Sequence, residues 1–370
     1  MKKLILFTHL NPVIHGQSMM ANVLLRNSLE WKDWQILPIN ACYDEDRAKL
    51  RSFSWKKVDR FWQYLLELDD LVKVQNARYL VTTFGFFSGS FLKDCFLVFS
   101  ARWLLGCRVF IWVHMDPNRL NLENQSLWIK FFARLTLRSI ECWVACAPSL
   151  SRTWPEWMRT KPIFEVPNGI SDCAPALGQR ATPGKRDMFT VMYLSAICEE
   201  KGWIELFNSA VKICQQRIDV RFEFYGSTGI GYDLETICNA FASSGFTDRI
   251  VYLGPVYEEQ KHQAFTSADL FCLPSYTEAF PLVVLEAMSY GLPCIATDVG
   301  AVKEAVVEGE TGWLVPAMDE NSLLATLREA LTDRDRLRLF GANARNRFAE
   351  NYTEKIFADN WRRLLEKYSD

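Results

Sequence analysis

None of the 11 cysteines forms a C-x-x-C pair, and they are scattered from Cys42 to Cys294. That pattern argues against a disulfide framework or a structural zinc site and suits a reducing cytosol. Net charge is almost absent, at -2, so no overall basic field points to nucleic acid. No uncharged apolar span approaches the ~20 residues of a transmembrane helix. The most hydrophobic stretch, Phe84 to Val113, is interrupted by Lys93, Asp94, Arg102 and Arg108. Behind Met1-Lys2-Lys3 the apolar run Leu4 to Phe7 is too short for a secretory signal. Internal repeats and low-complexity tracts are also missing. The expectation is a cytoplasmic protein, soluble or at most peripheral to a membrane.

The 370 residues are 49% hydrophobic and 23% charged, which is globular usage and favours two domains. The bland net charge hides a split. Residues 1–180 hold 23 Lys and Arg against 16 Asp and Glu, while residues 181–370 hold 19 against 28. Two parts with different partners would produce such an asymmetry. Short apolar runs alternate with helical patterns in both parts. In the first, strands are expected at Lys3–Thr8, Gln35–Ile39, Arg78–Thr83, Arg108–His114 and Cys142–Ala147, with helices at Met19–Leu29 and within 47–76. Residues 171–188 have linker composition. Strands then recur at Phe189–Leu194, Val220–Tyr225, Ile250–Leu253, Leu270–Leu273, Pro293–Ala296 and Gly312–Val315. This reads as α/β, two Rossmann-like series of βαβ units.

The most informative segment runs from Pro274 to Pro293. A strand enters from Leu270, a loop carries Glu278, and a helix is expected from Pro281, as first helical residue, to Tyr290. The free amides of Leu282 and Val283 would face outward at the positive end of that helix, a ready diphosphate site. Glu278 precedes that end, and Glu286 lies about one turn in. The pair would suit a nucleotide sugar, one carboxylate for sugar hydroxyls and one for the ribose diol.

Glu278 and Glu286 lie within EAFPLVVLEAMSYGLPCIAT, which resembles the E-x7-E motif of the group 1 family of retaining glycosyltransferases. Glu200-Lys201-Gly202 resembles that family's E-K-G turn, Val166-Pro167-Asn168-Gly169-Ile170 its N-G-[IV] segment, and Gly300 to Val315 its G-x-x-E…G-x-x-G-x-L-V ending. The resemblance is strong over about residues 160–350 and scattered before that. It implies a GT-B fold, two Rossmann-like domains facing across a cleft. The first would be residues 1–172, binding the acceptor, with a helix in 353–370 crossing back to it. The second would be 173–352, binding the nucleoside diphosphate sugar. It further implies Glu278 and His114 as catalytic residues, the latter in Val113-His114-Met115-Asp116. Donor contacts would come from Lys201, Glu286, Phe280, Leu282, Val283 and Gly16, the last in place of a glycine-rich loop. Ala196 stands where the family often has arginine, and E-A-F-P replaces E-x-F-G. No metal or other cofactor is called for. The implied reaction is retaining transfer of a sugar to a saccharide or lipid-linked acceptor, in surface polysaccharide or glycoconjugate synthesis. A nucleotide-sugar epimerase of the same fold and a non-catalytic sugar-nucleotide binder are the competing readings.

Two other patterns carry less. Asp44-Glu45-Asp46 is a D-x-D string beside Arg47 and Lys49 rather than after an apolar strand, and reads as a solvated loop. Gly226 to Gly231 has the order G-x-x-G-x-G, not the dinucleotide G-x-G-x-x-G, so a loop beside the donor base is its expected use. From Ser126 to Glu141, Trp128, Phe131 and Phe132 mix with Lys130, Arg134 and Arg138. That is either a buried-face helix or a basic amphipathic face giving weak, salt-sensitive contact with the inner face of the cell membrane.

Overall fold

A computed structural model describes residues 1–10, 16–42, 54–86, 88–114, 116–173, 188–229 and 231–369. Asp44-Glu45-Asp46, His15, Met115 and most of the 171–188 stretch lie outside the described residues. The chain divides into two compact units, Met1–Asn168 with Glu354–Asp370, and Gly169–Thr353.

Unit 1 is built on a six-stranded parallel sheet. Its strands are β1 (Lys2–Thr8), β2 (Trp34–Asn40), β3 (Tyr79–Thr83), β4 (Arg108–Val113), β5 (Cys142–Ala145) and β6 (Ile163–Glu165), in the order β2-β1-β3-β4-β5-β6. Leu4 to Leu6 and Val109 to Trp112 are fully buried, which accounts for their continuous apolar runs: helices cover both faces of the sheet. Those helices are α1 (Gly16–Ser28), α2 (Trp55–Lys73), α3 (Ser88–Phe99), continued by a π-turn at Ser100–Leu104, α4 (Leu127–Ser139), α5 (Pro148–Thr153) and α6 (Glu156–Arg159). The step from β1 to β2 runs one way along the sheet, and β2 to β3, β4 and β5 runs the other. Right-handed crossovers therefore put α1 on one face and α2, α3 and α4 on the opposite face.

Unit 2 repeats the plan with β7 (Phe189–Leu194), β8 (Val220–Tyr225), β9 (Ile250–Gly254), β10 (Leu270–Leu273), β11 (Cys294–Thr297) and β12 (Gly312–Val315), ordered β12-β11-β10-β7-β8-β9 and all parallel. Its helices are α7 (Trp203–Cys214), α8 (Leu234–Ala242), α9 (Glu258–Ser267), α10 (Leu282–Ser289), α11 (Val302–Ala305), α12 (Glu320–Ala330) and α13 (Arg334–Asn351). The chain leaves β7 toward β8 and leaves β10 toward β11, so the loops after β7 and β10 part in opposite directions. That switch point opens a crevice at the carboxyl ends of the strands, the general ligand position of such sheets.

The last helix, α14 (Glu354–Lys367), returns to unit 1. It packs beside α1, with Glu354 paired to Arg26 and accepting a 3.2 Å hydrogen bond from Asn27 Nδ2. Trp361 is fully buried and meets Trp112 of β4 edge-to-face, ring centroids 4.9 Å apart. Arg362 pairs with Asp33 at 3.0 Å.

Three local readings change. The three-residue β6 is an edge strand too short for a periodicity to show. Helix α1 begins at Gly16, so that residue opens the helix instead of lying in the loop before Met19. Pro281 caps α10 from outside, with extended backbone at φ -72° and ψ 118°, rather than occupying its first turn.

Candidate nucleotide-sugar site

The site grows from the two loops at the β7/β10 switch point. After β7 the chain makes a 3-10 turn, Glu199–Lys201, closed by Gly202 in the left-handed region at φ 65°. A Cβ on Gly202 would lie 1.9 Å from the Pro274 carbonyl oxygen, so the two loops approach as closely as backbone allows only because this residue has no side chain. The Tyr276 amide donates to the Glu200 carbonyl at 2.9 Å and stitches them together. Beneath, the fully buried Tyr193 of β7 donates its hydroxyl to the Ala196 carbonyl at 3.1 Å. Burial pushes that phenol well above its ordinary range, so it stays a donor.

These contacts aim Lys201 at Glu278. Lys201 Nζ lies 2.6 Å from Glu278 Oε1, with both side chains part-buried. Glu278 is held from the other side by Gly300, φ 56°, where a Cβ would lie 2.0 Å from the Glu278 carbonyl oxygen. The Ala301 amide donates to the Ala279 carbonyl at 2.8 Å. Phe280 is buried, its ring edge-on to Tyr352 at 5.6 Å, and it anchors the loop where α10 begins. Leu282 and Val283 are the first helical residues, whose N–H groups point out of the helix end. The Val284 amide is engaged by the Pro281 carbonyl at 3.2 Å.

Glu286 lies deeper, 8% exposed, with Oε1 2.6 Å from Lys261 Nζ of α9. Burial raises its carboxyl pKa, and the Lys261 ammonium opposes that rise. Lys261 was not legible in the sequence, because α9 is polar and presents no motif. Its neighbour His262 engages the Tyr290 hydroxyl through Nδ1 at 2.8 Å, tying α9 to the end of α10. Each carboxylate of the E-x7-E string thus has its own lysine. The Gly226 loop folds onto the same region: the Gly229 amide donates to the Ile197 carbonyl at 2.9 Å. Among the described residues, no cluster of three or more His, Cys, Asp and Glu side chains could hold a metal ion.

Residues 179–347 match the family described as glycosyl transferases, group 1. The second unit belongs to that family. Its relatives include a D-inositol 3-phosphate glycosyltransferase of Nocardia farcinica, 38% identical over 120 residues, which are 32% of this chain and 27% of that protein. A phosphatidyl-myo-inositol mannosyltransferase of Mycobacterium leprae is 31% identical over 209 residues, 54% of this chain and 53% of that one. The chain spans about half or less of the length of these curated relatives. Solved structures extend the likeness to the whole chain. Sucrose-phosphate synthase from Thermosynechococcus elongatus superposes with TM-score 0.75 at 18% identity over 99% of both chains. Anabaena Alr3699/HepE, solved with UDP, gives 0.72 at 15% over 99% of this chain and all of that one. The fold is GT-B, as the resemblance implied.

In the group 1 glycosyl transferase unit the structure brings together Lys201, Glu278 and the head of α10, with Glu286 below. His114 and Gly16 belong to unit 1. His114 follows β4 directly, its ring 4.2 Å from that of Trp112. Gly16 is exposed at the start of α1. Beside it Gln17 Nε2 donates to Thr8 Oγ1 at 2.9 Å and Thr83 Oγ1 at 2.8 Å, bridging the ends of β1 and β3 at the switch point of unit 1. Asp94, nearly buried, accepts from the Gly85 amide at 2.9 Å and pairs with Lys93 at 2.9 Å. Burial and then Lys93 lower the pKa of nearby His9, and Asp94 opposes them. The charged pair Lys93-Asp94 inside an apolar stretch was the available sign of this cluster.

Proposed function

We propose that the protein is a retaining glycosyltransferase that takes a sugar from a nucleoside diphosphate sugar held by unit 2. The observation that carries this reading is the Lys201–Glu278 pair set beside the amino end of α10 at the β7/β10 switch point. The donor diphosphate fits that end, where Lys201 and the amides of Leu282 and Val283 offer positive charge. Glu278 takes sugar hydroxyls, and Glu286 takes the ribose diol.

As the bond from the anomeric carbon to the diphosphate oxygen breaks, negative charge builds on the leaving group. Lys201 then serves two anions, the Glu278 carboxylate already beside it and the departing diphosphate. Fixed donors of this kind stabilise developing charge without reorganising. The acceptor hydroxyl bonds to the same face of the carbon, and its proton passes to the leaving diphosphate. Unit 1 supplies the acceptor site, with His114 and the Gly16 end of α1 at the carboxyl edge of its sheet. The acceptor is a saccharide or a lipid-linked acceptor, in surface polysaccharide or glycoconjugate synthesis at the cytoplasmic face of a membrane. Two curated relatives named for inositol-based substrates, and an Anabaena neighbour solved with UDP, support these choices.

A thermal-shift screen of UDP, GDP and ADP with their sugars tests the donor assignment, since a ligand of the native state raises its melting point. UDP and a UDP-sugar are expected to give the largest shift, lost in Lys201→Met. No shift with any nucleotide would refute the reading. Release of nucleotide that requires an acceptor separates a transferase from an epimerase.

A further inference from the structure

Glu205 does not make the contact that its position offers. It is the third residue of α7, where a glutamate ordinarily reaches back to the amide of the residue capping the helix. Here that amide, of Gly202, is taken by the Glu199 carbonyl at 2.9 Å. Glu205 Oε1 instead accepts a hydrogen bond from the Tyr276 hydroxyl. Among the described residues, Glu205 Oε2 is buried with no hydrogen-bond partner. A carboxylate oxygen left unpaired away from water destabilises a fold, so the one contact this side chain does make calls for a use. Burial, and then the bond to Glu205, push the Tyr276 phenol up, so it stays the donor.

That contact joins the two loops of the donor site. Glu205 lies four residues after Lys201, and Tyr276 two residues before Glu278. The Tyr276 amide already holds the Glu200 carbonyl at 2.9 Å. The hydroxyl adds a second tie on the far side of Lys201, so the Glu278 loop is fastened to both flanks of the lysine. Other ties of this loop run elsewhere. The Ser275 carbonyl accepts from Thr297 Oγ1 of β11, and the Ala279 carbonyl accepts from the Ala301 amide. Any residue at 276 could supply the amide tie, but the hydroxyl tie needs a tyrosine facing an acceptor on α7.

We propose that Tyr276 and Glu205 are positioning residues, a tether that sets Glu278 against Lys201 so that sugar and diphosphate are gripped together. The tether rests on the donor reading above and adds two residues to it. The test is titration calorimetry of the full chain with UDP and with UDP-glucose, beside thermal unfolding without ligand. Tyr276→Phe strands the Glu205 carboxylate and should lower the melting point by about 5 °C. Tyr276→Phe combined with Glu205→Met puts an apolar pair in place of the bond, which should restore the melting point without restoring the tie. In that double variant the Kd for UDP-glucose should rise about tenfold. The Kd for UDP, held by Lys201 and the amides of α10, should stay within about twofold. The same double change made on Glu278→Ala should leave UDP-glucose affinity within about twofold of Glu278→Ala alone, because the tether acts through Glu278. Glu205→Gln keeps an acceptor for the hydroxyl and should bind UDP-glucose as wild type does. A double variant that recovers wild-type UDP-glucose affinity along with its melting point would overturn the proposal, since the pair would then serve stability alone. So would an equal loss for UDP, or a loss that persists on Glu278→Ala. Wild type that binds neither nucleotide would overturn the donor reading and the tether with it, whereas intact wild-type binding with an unaffected double variant overturns the tether alone.

Discussion

Glu278 and Glu286 share one motif but not one environment. Glu278 is part-exposed and paired with Lys201, ready to exchange that contact for ligand. Glu278→Gln keeps the shape and removes the charge, so turnover should fall by about 10² to 10³ while the melting point moves little; wild-type turnover would contradict the assignment. Glu286 is the buried member. Its folded carboxyl titrates above 4.5, the value for the unfolded chain. Between the two values the native state holds more protons than the unfolded state, so Glu286 subtracts stability as pH rises through that window. Glu286→Gln removes the subtraction. Its unfolding free energy relative to wild type should improve from about pH 4.5 upward and then level off, as urea titrations across pH would show. A difference that does not vary with pH would refute the buried-carboxylate account. The two glutamates and Lys201 were legible in the sequence because motif spacing names them. Lys261 and Gln17 were not, because each gains its meaning from partners on other elements, while Asp94 showed only as a charge beside Lys93 in an apolar stretch.

At the scale of elements, two glycines set the site. Gly202 and Gly300 both have positive φ and both lie where a Cβ would strike a backbone oxygen. Gly245 also has positive φ, at 76°, but faces open space. Gly245→Ala should therefore cost only the left-handed penalty, about 1–2 kcal/mol. Gly202→Ala and Gly300→Ala must also push apart the loops carrying Lys201 and Glu278. They should cost more in denaturant unfolding and lower turnover by about a hundredfold. Equal losses at all three positions would show that strain, not close approach, governs. Most strands were legible because parallel strands covered on both faces read as continuous apolar runs. The amino end of α1 was not, because it opens on Gly16-Gln17-Ser18 ahead of its first apolar turn.

For the whole molecule, the decisive element is α14, which makes unit 1 discontinuous in sequence. Trp361→Ala would open a cavity against Trp112 and should cost about 3–5 kcal/mol. The loss should fall on a melting transition that UDP does not shift, and a lowered UDP-shifted transition would contradict the assignment of α14 to unit 1. The charge split between the two parts of the sequence was visible from composition and the return of the final helix was implied by the resemblance, whereas its seat beside α1 and against Trp112 required the fold. The same return has a consequence for synthesis. At 5–20 residues per second, the stretch between β6 and α14 takes on the order of 10 to 40 s to emerge from the ribosome. Throughout that interval the nascent chain presents Trp112 without its α14 cover, beside α1, so unit 2 is free to fold first and a holding chaperone has a defined target.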